Sequence, residues 1–251
     1  MIHAVDPELS KQLKQLFGTK TPVRIQESLT ALGTYTNSWR LAPANYQEKD
    51  LSIHSTPLDG HFSINLRSKE FQSSAHLQEF DLRVNGVQQS LKGFASKASG
   101  IMEHSSKMRL TLEKWSAHVD KKQSKLEQLK VNLDNQWSDS QRLTSHLKLA
   151  VDKLQFNDPK HQFKDSKLNL TLADLKLPSP EELAAYQQSL ASLTPQQMQQ
   201  QNMQVGMKVL SHGLNLTIHQ LSSQSPWGAI SGKGELKLRD DSQSQIPPCL
   251  P

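Results

Sequence analysis

Two segments of this chain place apolar residues at positions 0, 2, 4, 7 and 9: Leu147, Leu149, Val151, Leu154, Phe156, and again Leu168, Leu170, Leu172, Leu175, Leu177. Leu214, Leu216, Ile218 and Leu221 repeat the first four places, and Met108, Leu110, Leu112, Trp115 and Ala117 follow the same spacing less fully. Steps of two are the signature of a strand with one apolar face. The step of three would throw the apolar set onto the opposite face unless one extra residue is taken up in a bulge. The spacing therefore predicts long, bent strands in a strongly twisted sheet. The copies lie at irregular separations, which does not fit a solenoid of fixed period.

Strand and turn signals fill most of the remaining chain. Val23 and Ile25 begin one strand, and Tyr35, Asn37, Trp39 and Leu41 alternate after a break at Gly33. Leu51 and Ile53 run into Pro57-Leu-Asp-Gly60, and Phe62, Ile64 and Leu66 emerge from it, which predicts a hairpin turning at Asp59-Gly60. Phe80, Leu82 and Val84 end at Asn85-Gly86, the strongest short signal for a two-residue turn. The Ser- and Lys-rich stretch up to Gly100 is a weaker strand or a loop, and Leu126, Leu129, Val131 and Leu133 form a shorter strand ending near Trp137. Leu214 to Leu221 and Ala229 to Leu238 form a hairpin about Ser225-Pro-Trp-Gly228, where Pro226 presets φ and Gly228 accepts a positive one.

Helix signals are few. Asp6 can cap, Pro7 suits a first turn and Gly18 can close a short N-terminal helix that buries Leu9, Leu13, Leu16 and Phe17. Ser179-Pro-Glu-Glu182 and Thr194-Pro-Gln-Gln197 each open a helix, giving a helical pair over 180–211 with Met203, Met207 and Leu210 facing inward. The fold class expected is thus mainly β: an elongated, twisted antiparallel meander with a short N-terminal helix and this helical pair. Residues 1–20 form the helix and lead-in, 21–238 the β-rich region with the insertion at 180–211, and 239–251 a polar, Pro-rich disordered tail.

Composition narrows the function classes. The hydrophobic fraction is 35%, against about 45–50% (glycine included) in ordinary domains, which suits a thin, extended core. The formal charge is +5, but Lys and Arg are interspersed with Asp and Glu and form no long block, so no nucleic-acid partner is expected. Cys249 is the single cysteine, which rules out an intramolecular disulfide and a thiolate metal cluster within this sequence. No run of about 18 apolar residues marks a membrane span.

Catalytic signals are scattered. No Gly-x-Ser-x-Gly elbow, Gly-rich phosphate loop or His-Glu-x-x-His helix occurs. His54 and His61 flank the expected Asp59-Gly60 turn and would face each other across it; His118 lies near Asp120, and His161 near Asp158 and Asp165. These are pieces of a relay only if a serine joins them in space. No catalytic residue, metal site or cofactor is assigned. Trp39, Trp115, Trp137 and Trp227 read as core or turn anchors. The residues that invite a ligand are the apolar sheet-face set: Leu110, Leu112, Leu147, Leu149, Val151, Leu168, Leu170, Leu172, Leu214, Leu216 and Ile218.

A helical segment leading into Gly213-Leu-Asn-Leu-Thr-Ile218 and Ser225-Pro-Trp-Gly-Ala-Ile-Ser-Gly-Lys-Gly-Glu-Leu-Lys-Leu238 resembles the YdgA-like family of bacterial envelope proteins, a domain-of-unknown-function family. Leu32-Gly-Thr-Tyr-Thr-Asn-Ser-Trp-Arg-Leu-Ala-Pro43, Asp50-Leu-Ser-Ile53 and Asp59-Gly60 agree with it, so the resemblance spans residues 22–238. It implies a periplasmic region held at the inner membrane by an N-terminal transmembrane segment. That segment is absent from this sequence, so a fragment or late start is expected. The family supplies no catalytic motif. The hairpin is also similar, at the level of fold, to the AsmA-like group of long β-sheet proteins that guide lipid. The expected function is a non-enzymatic envelope protein whose sheet serves as a scaffold or binds a hydrophobic ligand, lipid or envelope partner. The alternative is an envelope hydrolase using the scattered His, Asp and Ser residues.

Overall fold

The computed structural model describes residues 7–120, 122–138, 142–158, 160–176, 182, 184, 186, 188, 194, 197–200, 202, 203 and 213–238. One helix, α1 (Pro7–Phe17), precedes thirteen strands: β1 (Val23–Leu29), β2 (Thr34–Leu41), β3 (Asn45–Gln47), β4 (Leu51–Ser55), β5 (Leu58–Asn65), β6 (Glu70–Val84), β7 (Val87–Ile101), β8 (Ser105–Val119), β9 (Lys122–Trp137), β10 (Arg142–Gln155), β11 (Gln162–Lys176), β12 (Leu214–Ser225) and β13 (Gly228–Leu238). All belong to one antiparallel sheet in the order β1-β2-β5-β6-β7-β8-β9-β10-β11-β12-β13, with β4 beside β6 and β3 beside β4. The mainly β, antiparallel fold expected from the spacing is the one observed, and the Ser- and Lys-rich stretch before Gly100 is the full 15-residue strand β7.

The turns follow local chemistry where it is strong. Val84 pairs with Val87, and Asn85 (φ 46) and Gly86 (φ 80) supply the two positive φ values of a type I′ turn. Ser225 pairs with Gly228, whose φ is 132, and the Ser225 hydroxyl accepts from the Trp227 N–H at 3.3 Å and donates to the Gly228 carbonyl at 2.9 Å. Gly18 (φ 69) closes α1 by donating its N–H to Lys14 O at 2.9 Å. Asp6, its expected cap, lies outside the described residues.

The hairpin expected at Asp59-Gly60 is not there. β4 and β5 lie end to end along the same edge of β6, Ser55 opposite Phe80 and Leu58 opposite Leu77, without a change of register. β3 and β2 are likewise collinear against them, Asn45 opposite His54 and Leu41 opposite Leu58. Each composite strand is interrupted where a proline, Pro43 or Pro57, has no N–H for the ladder. Hydroxyls fill the gap: Ala44 N–H donates to Ser55 Oγ at 2.9 Å, and Glu79 N–H to Thr56 Oγ1 at 3.0 Å. The reversal expected at Gly60 comes instead after Asn65, whose Oδ1 accepts from the N–H groups of Arg67 and Ser68. Gly60 is glycine because Trp39 lies across it; a Cβ there would sit 2.1 Å from the indole Cε2.

The same interruption crosses the sheet. Ladder pairing breaks at Gln78 opposite Gly93, Glu113 opposite Gln128 and Asp152 opposite Asp165, which stand in one line running on from Pro57. Every second strand takes a left-handed residue there: Gly93 (φ 65), Gln128 (φ 55) and Asp165 (φ 50). In β8, β9 and β10 this line falls on the step of three read from the sequence, with register unchanged across it; in β11 and β12 the step falls elsewhere, at Leu172–Leu175 and Ile218–Leu221, where the register shifts as a bulge requires.

Little is packed over that side. No side chain of the described residues falls below 2% exposure. α1 lies beside β3, the short edge left bare by β1. Residues 182, 184, 186 and 188 are helical, as are 197–200, 202 and 203, and the second start signal is a working capping box, with Thr194 N–H donating to Gln197 Oε1 at 2.9 Å and Gln197 N–H to Thr194 Oγ1 at 3.4 Å. Met203, expected to face inward, is 66% exposed; Met207 and Leu210 lie outside the described residues, as do Ser179 and the tail.

Candidate functional site

Strand alternation and register sort the sheet into two faces. Residues directly opposite across neighbouring strands share a face, so the apolar set forms crosswise rows. One row runs Leu110, Val131, Leu149, Leu168, Leu221. The next runs Met108, Leu133, Leu147, Leu170, Ile218. Leu112 pairs with Leu129; Leu172 pairs with Leu216, and Leu214 with Leu238. All eleven sequence-predicted residues are thus brought onto one face across β8 to β12. Val151 (6% exposed) and Leu214 (7%) are buried; the other nine are half-buried. The apolar face continues to the edges, where Val23, Ile25, Ile230 and Leu236 are exposed.

The opposite face is mostly polar and curls inward, so that residues from β5 to β12 line one trough of about 1240 Å³, which Ala98, Met108 and Leu133 also border. Two rows face into it. The first is His61, Ser74, Lys97, Arg109, Asn132, Lys148, Asn169. The second includes Gln72, Ser99, Lys107, Asp134 and His146. Four Lys or Arg side chains meet a single carboxylate, Asp134, whose Oδ2 is 3.7 Å from Lys107 Nζ. Arg109 Nε donates to Asn132 Oδ1 at 3.1 Å. Asp134 Oδ1 is buried without a hydrogen-bond donor, an acceptor the fold leaves unmet. No sequence motif announced this face; its signal is cations at alternate positions, as in Lys107 and Arg109, which becomes a cluster only through register.

At one end of the trough Thr171 Oγ1 lies 2.8 Å from His146 Nδ1 and 2.7 Å from His219 Nε2. A hydroxyl has one proton and two lone pairs, so it can donate to at most one of the two rings, and the roles follow the ring tautomers. Asp134 stands opposite His146 across β9 and β10, yet no hydrogen bond joins them. The strand N–H groups around Thr171 are engaged in ladders on both sides, which leaves no pair of donors for an oxyanion.

The other described histidines form no comparable pair. His54 and His61 lie seven residues apart along the β4–β5 line, so they do not face each other across a hairpin. His61 shares a hydrogen bond with Ser38 at 2.9 Å. The His161 ring stands 5.5 Å from that of Trp227, tilted by 40°, which ties the turn after β10 to the turn after β12. Among the described residues no group of three His, Cys, Asp or Glu could hold a metal ion, and no helix is long and apolar enough to cross a membrane.

A family model described as "Bacterial protein of unknown function (DUF945)" matches residues 2–248. No curated protein and no solved structure matches the chain.

Proposed function

The chain belongs to this bacterial family of unknown function, and from that premise we propose that it is a non-enzymatic protein of the cell envelope whose apolar sheet face binds a hydrophobic ligand of lipid character. One observation carries the reading: the leucine-rich rows across β8 to β12 stand half-exposed on a sheet with no second layer over them among the described residues. At about 25 cal/mol per Å² of apolar surface, such a face forgoes many kcal/mol in water, and a bound acyl chain recovers part of it. Lipid is favoured over a protein partner because the rows are continuous and almost free of polar groups, whereas a protein interface places a polar rim around a small apolar centre. The YdgA-like resemblance adds a periplasmic location at the inner membrane. The hydrolase reading gains nothing comparable, since Thr171, the one hydroxyl among the described residues placed between two imidazoles, stands where the strand N–H groups are taken up in ladders.

The test is binding of a fluorescent fatty acid to the purified chain, together with mass spectrometry of an organic extract. Saturable binding that falls at least tenfold in a Leu149→Gln, Leu168→Gln double variant with unchanged circular dichroism is the expected result. No saturable binding and no extracted lipid would overturn the lipid reading, and capture of an envelope protein through the same residues would replace it. Fractionation of cells making the full-length gene product checks location; recovery in the cytosol would overturn the envelope assignment.

A further inference from the structure

We infer that the polar trough is a second binding site, for a ligand that carries phosphate esters on a hydroxyl-bearing sugar or polyol body. It lies on the face opposite the leucine rows and stands whether or not those rows take a lipid. The row Ser74, Lys97, Arg109, Asn132, Lys148, Asn169 crosses six adjacent strands in perfect register. Neighbouring strands are about 4.8 Å apart, so Lys97 and Lys148 are separated by about 14 Å, with Arg109 between them. Lys97 and Arg109 are directly opposite each other, an arrangement that repels and weakens a sheet unless an anion lies between the charges. Neither Lys97 nor Lys148 has a carboxylate within ion-pair distance among the described residues, and the trough offers only Asp134, on the next row.

The neutral positions define the rest of the ligand. Asn132 stands between Arg109 and Lys148, and Ser74 and Asn169 flank the cations at either end; they offer both donors and acceptors, which suits hydroxyl groups set beside anionic groups. Arg109, with Nε held by Asn132, keeps its terminal nitrogens for an oxyanion. The lining contains no Phe, Tyr or Trp. Single-stranded nucleic acid is bound largely by stacking its bases on such rings, so the trough fits a phosphorylated polyol better than an oligonucleotide. The same chemistry occurs on a free molecule and on the headgroup of an anionic phospholipid.

The experiment is titration of the chain with inositol hexakisphosphate, with phosphatidylglycerol vesicles set against phosphatidylcholine vesicles, and with oligothymidylate, at salt from about 50 mM to about 200 mM. The Lys97→Gln, Arg109→Gln, Lys148→Gln triple variant is compared with a Lys233→Gln, Lys237→Gln control on β13. Saturable, salt-weakened binding of inositol hexakisphosphate, lost at least tenfold in the triple variant and kept in the control, supports the site and a free ligand. Co-sedimentation with phosphatidylglycerol vesicles alone, with the same loss, supports a headgroup. The urea midpoint of the triple variant is expected to stay level or rise, because like-charge repulsion is relieved. A fall in midpoint paralleling the loss of binding would assign these cations to structure and overturn the proposal. It is equally overturned if neither phosphate probe binds, if the triple variant matches the control, or if oligothymidylate binds more tightly than both.

Discussion

At single positions the fold is set by space and by sign of φ. Gly60 exists to let the Trp39 ring lie flat across β5, with no room for a methyl group at 2.1 Å from Cε2. Gly60→Ala should destabilise by about 1–3 kcal/mol, the usual range for overpacking. A cycle in urea separates the causes: in a Trp39→Leu background the same substitution should cost far less, and an equal cost would mean that backbone rather than ring resists it. Gln128 presents the converse, a side chain at φ 55 on the interrupted line of the sheet. Gln128→Gly should raise stability by up to about 1 kcal/mol, since glycine occupies the left-handed region without the penalty a Cβ brings. The turn residues Lys69 and Glu103, 2.8 Å apart, test electrostatics at the same scale. The hydrogen bond from Lys69, with its charge, holds the Glu103 carboxyl below its ordinary range. A carboxyl lowered in the folded state contributes stability that is present above its unfolded value and lost as pH falls through the folded one. NMR titration should place Glu103 below an ordinary glutamate, and Lys69→Ala should bring it back; an unmoved midpoint would remove the pair from the account.

Among elements, what was legible depended on how local the cause is. Asn85-Gly86 is a turn because those two residues alone take the required φ values, and the capping box at Thr194 and Gln197 is likewise written within four residues. Pro57-Leu-Asp-Gly60 uses turn residues for other reasons: Pro57 sits where the ladder is already interrupted, and Gly60 answers to Trp39, which lies 21 positions earlier. The eleven leucine, isoleucine and valine positions were legible because period two places them on one face whatever the register. The edges follow from the meander itself. β13 is exposed along its whole length, and its outward Lys233, Glu235 and Lys237 are the kind of charges that discourage another strand from pairing there. Lys233→Val with Lys237→Val should therefore promote association through β13, seen as concentration-dependent growth in light scattering. Scattering that stays monomeric would show that the open edge is protected by something other than charge.

At the scale of the whole molecule, the strands among the described residues form a single curved sheet with an apolar face and a cationic one, and that division was not legible in a linear reading. Lys97, Arg109 and Lys148 are 12 to 51 positions apart in the chain, and only the shared register of β7 to β10 makes them neighbours. Interspersed charges along the chain therefore form no block in sequence where the fold makes a patch. The same architecture fixes how the protein should unfold. Among the described residues no second layer covers the leucine rows, so folding leaves in water apolar surface that a compact protein would bury. Because the urea slope m scales with the surface exposed on unfolding, m should fall short of the value for a compact protein of equal length. A lipid seated on the leucine rows buries part of that missing area in the native state only, so it should raise both the midpoint and m, in contrast to a ligand in the polar trough, which raises the midpoint through binding alone. Urea unfolding of the delipidated chain, repeated with fatty acid, measures both quantities, and a slope already at the compact value without ligand would mean that the apolar face is closed in solution.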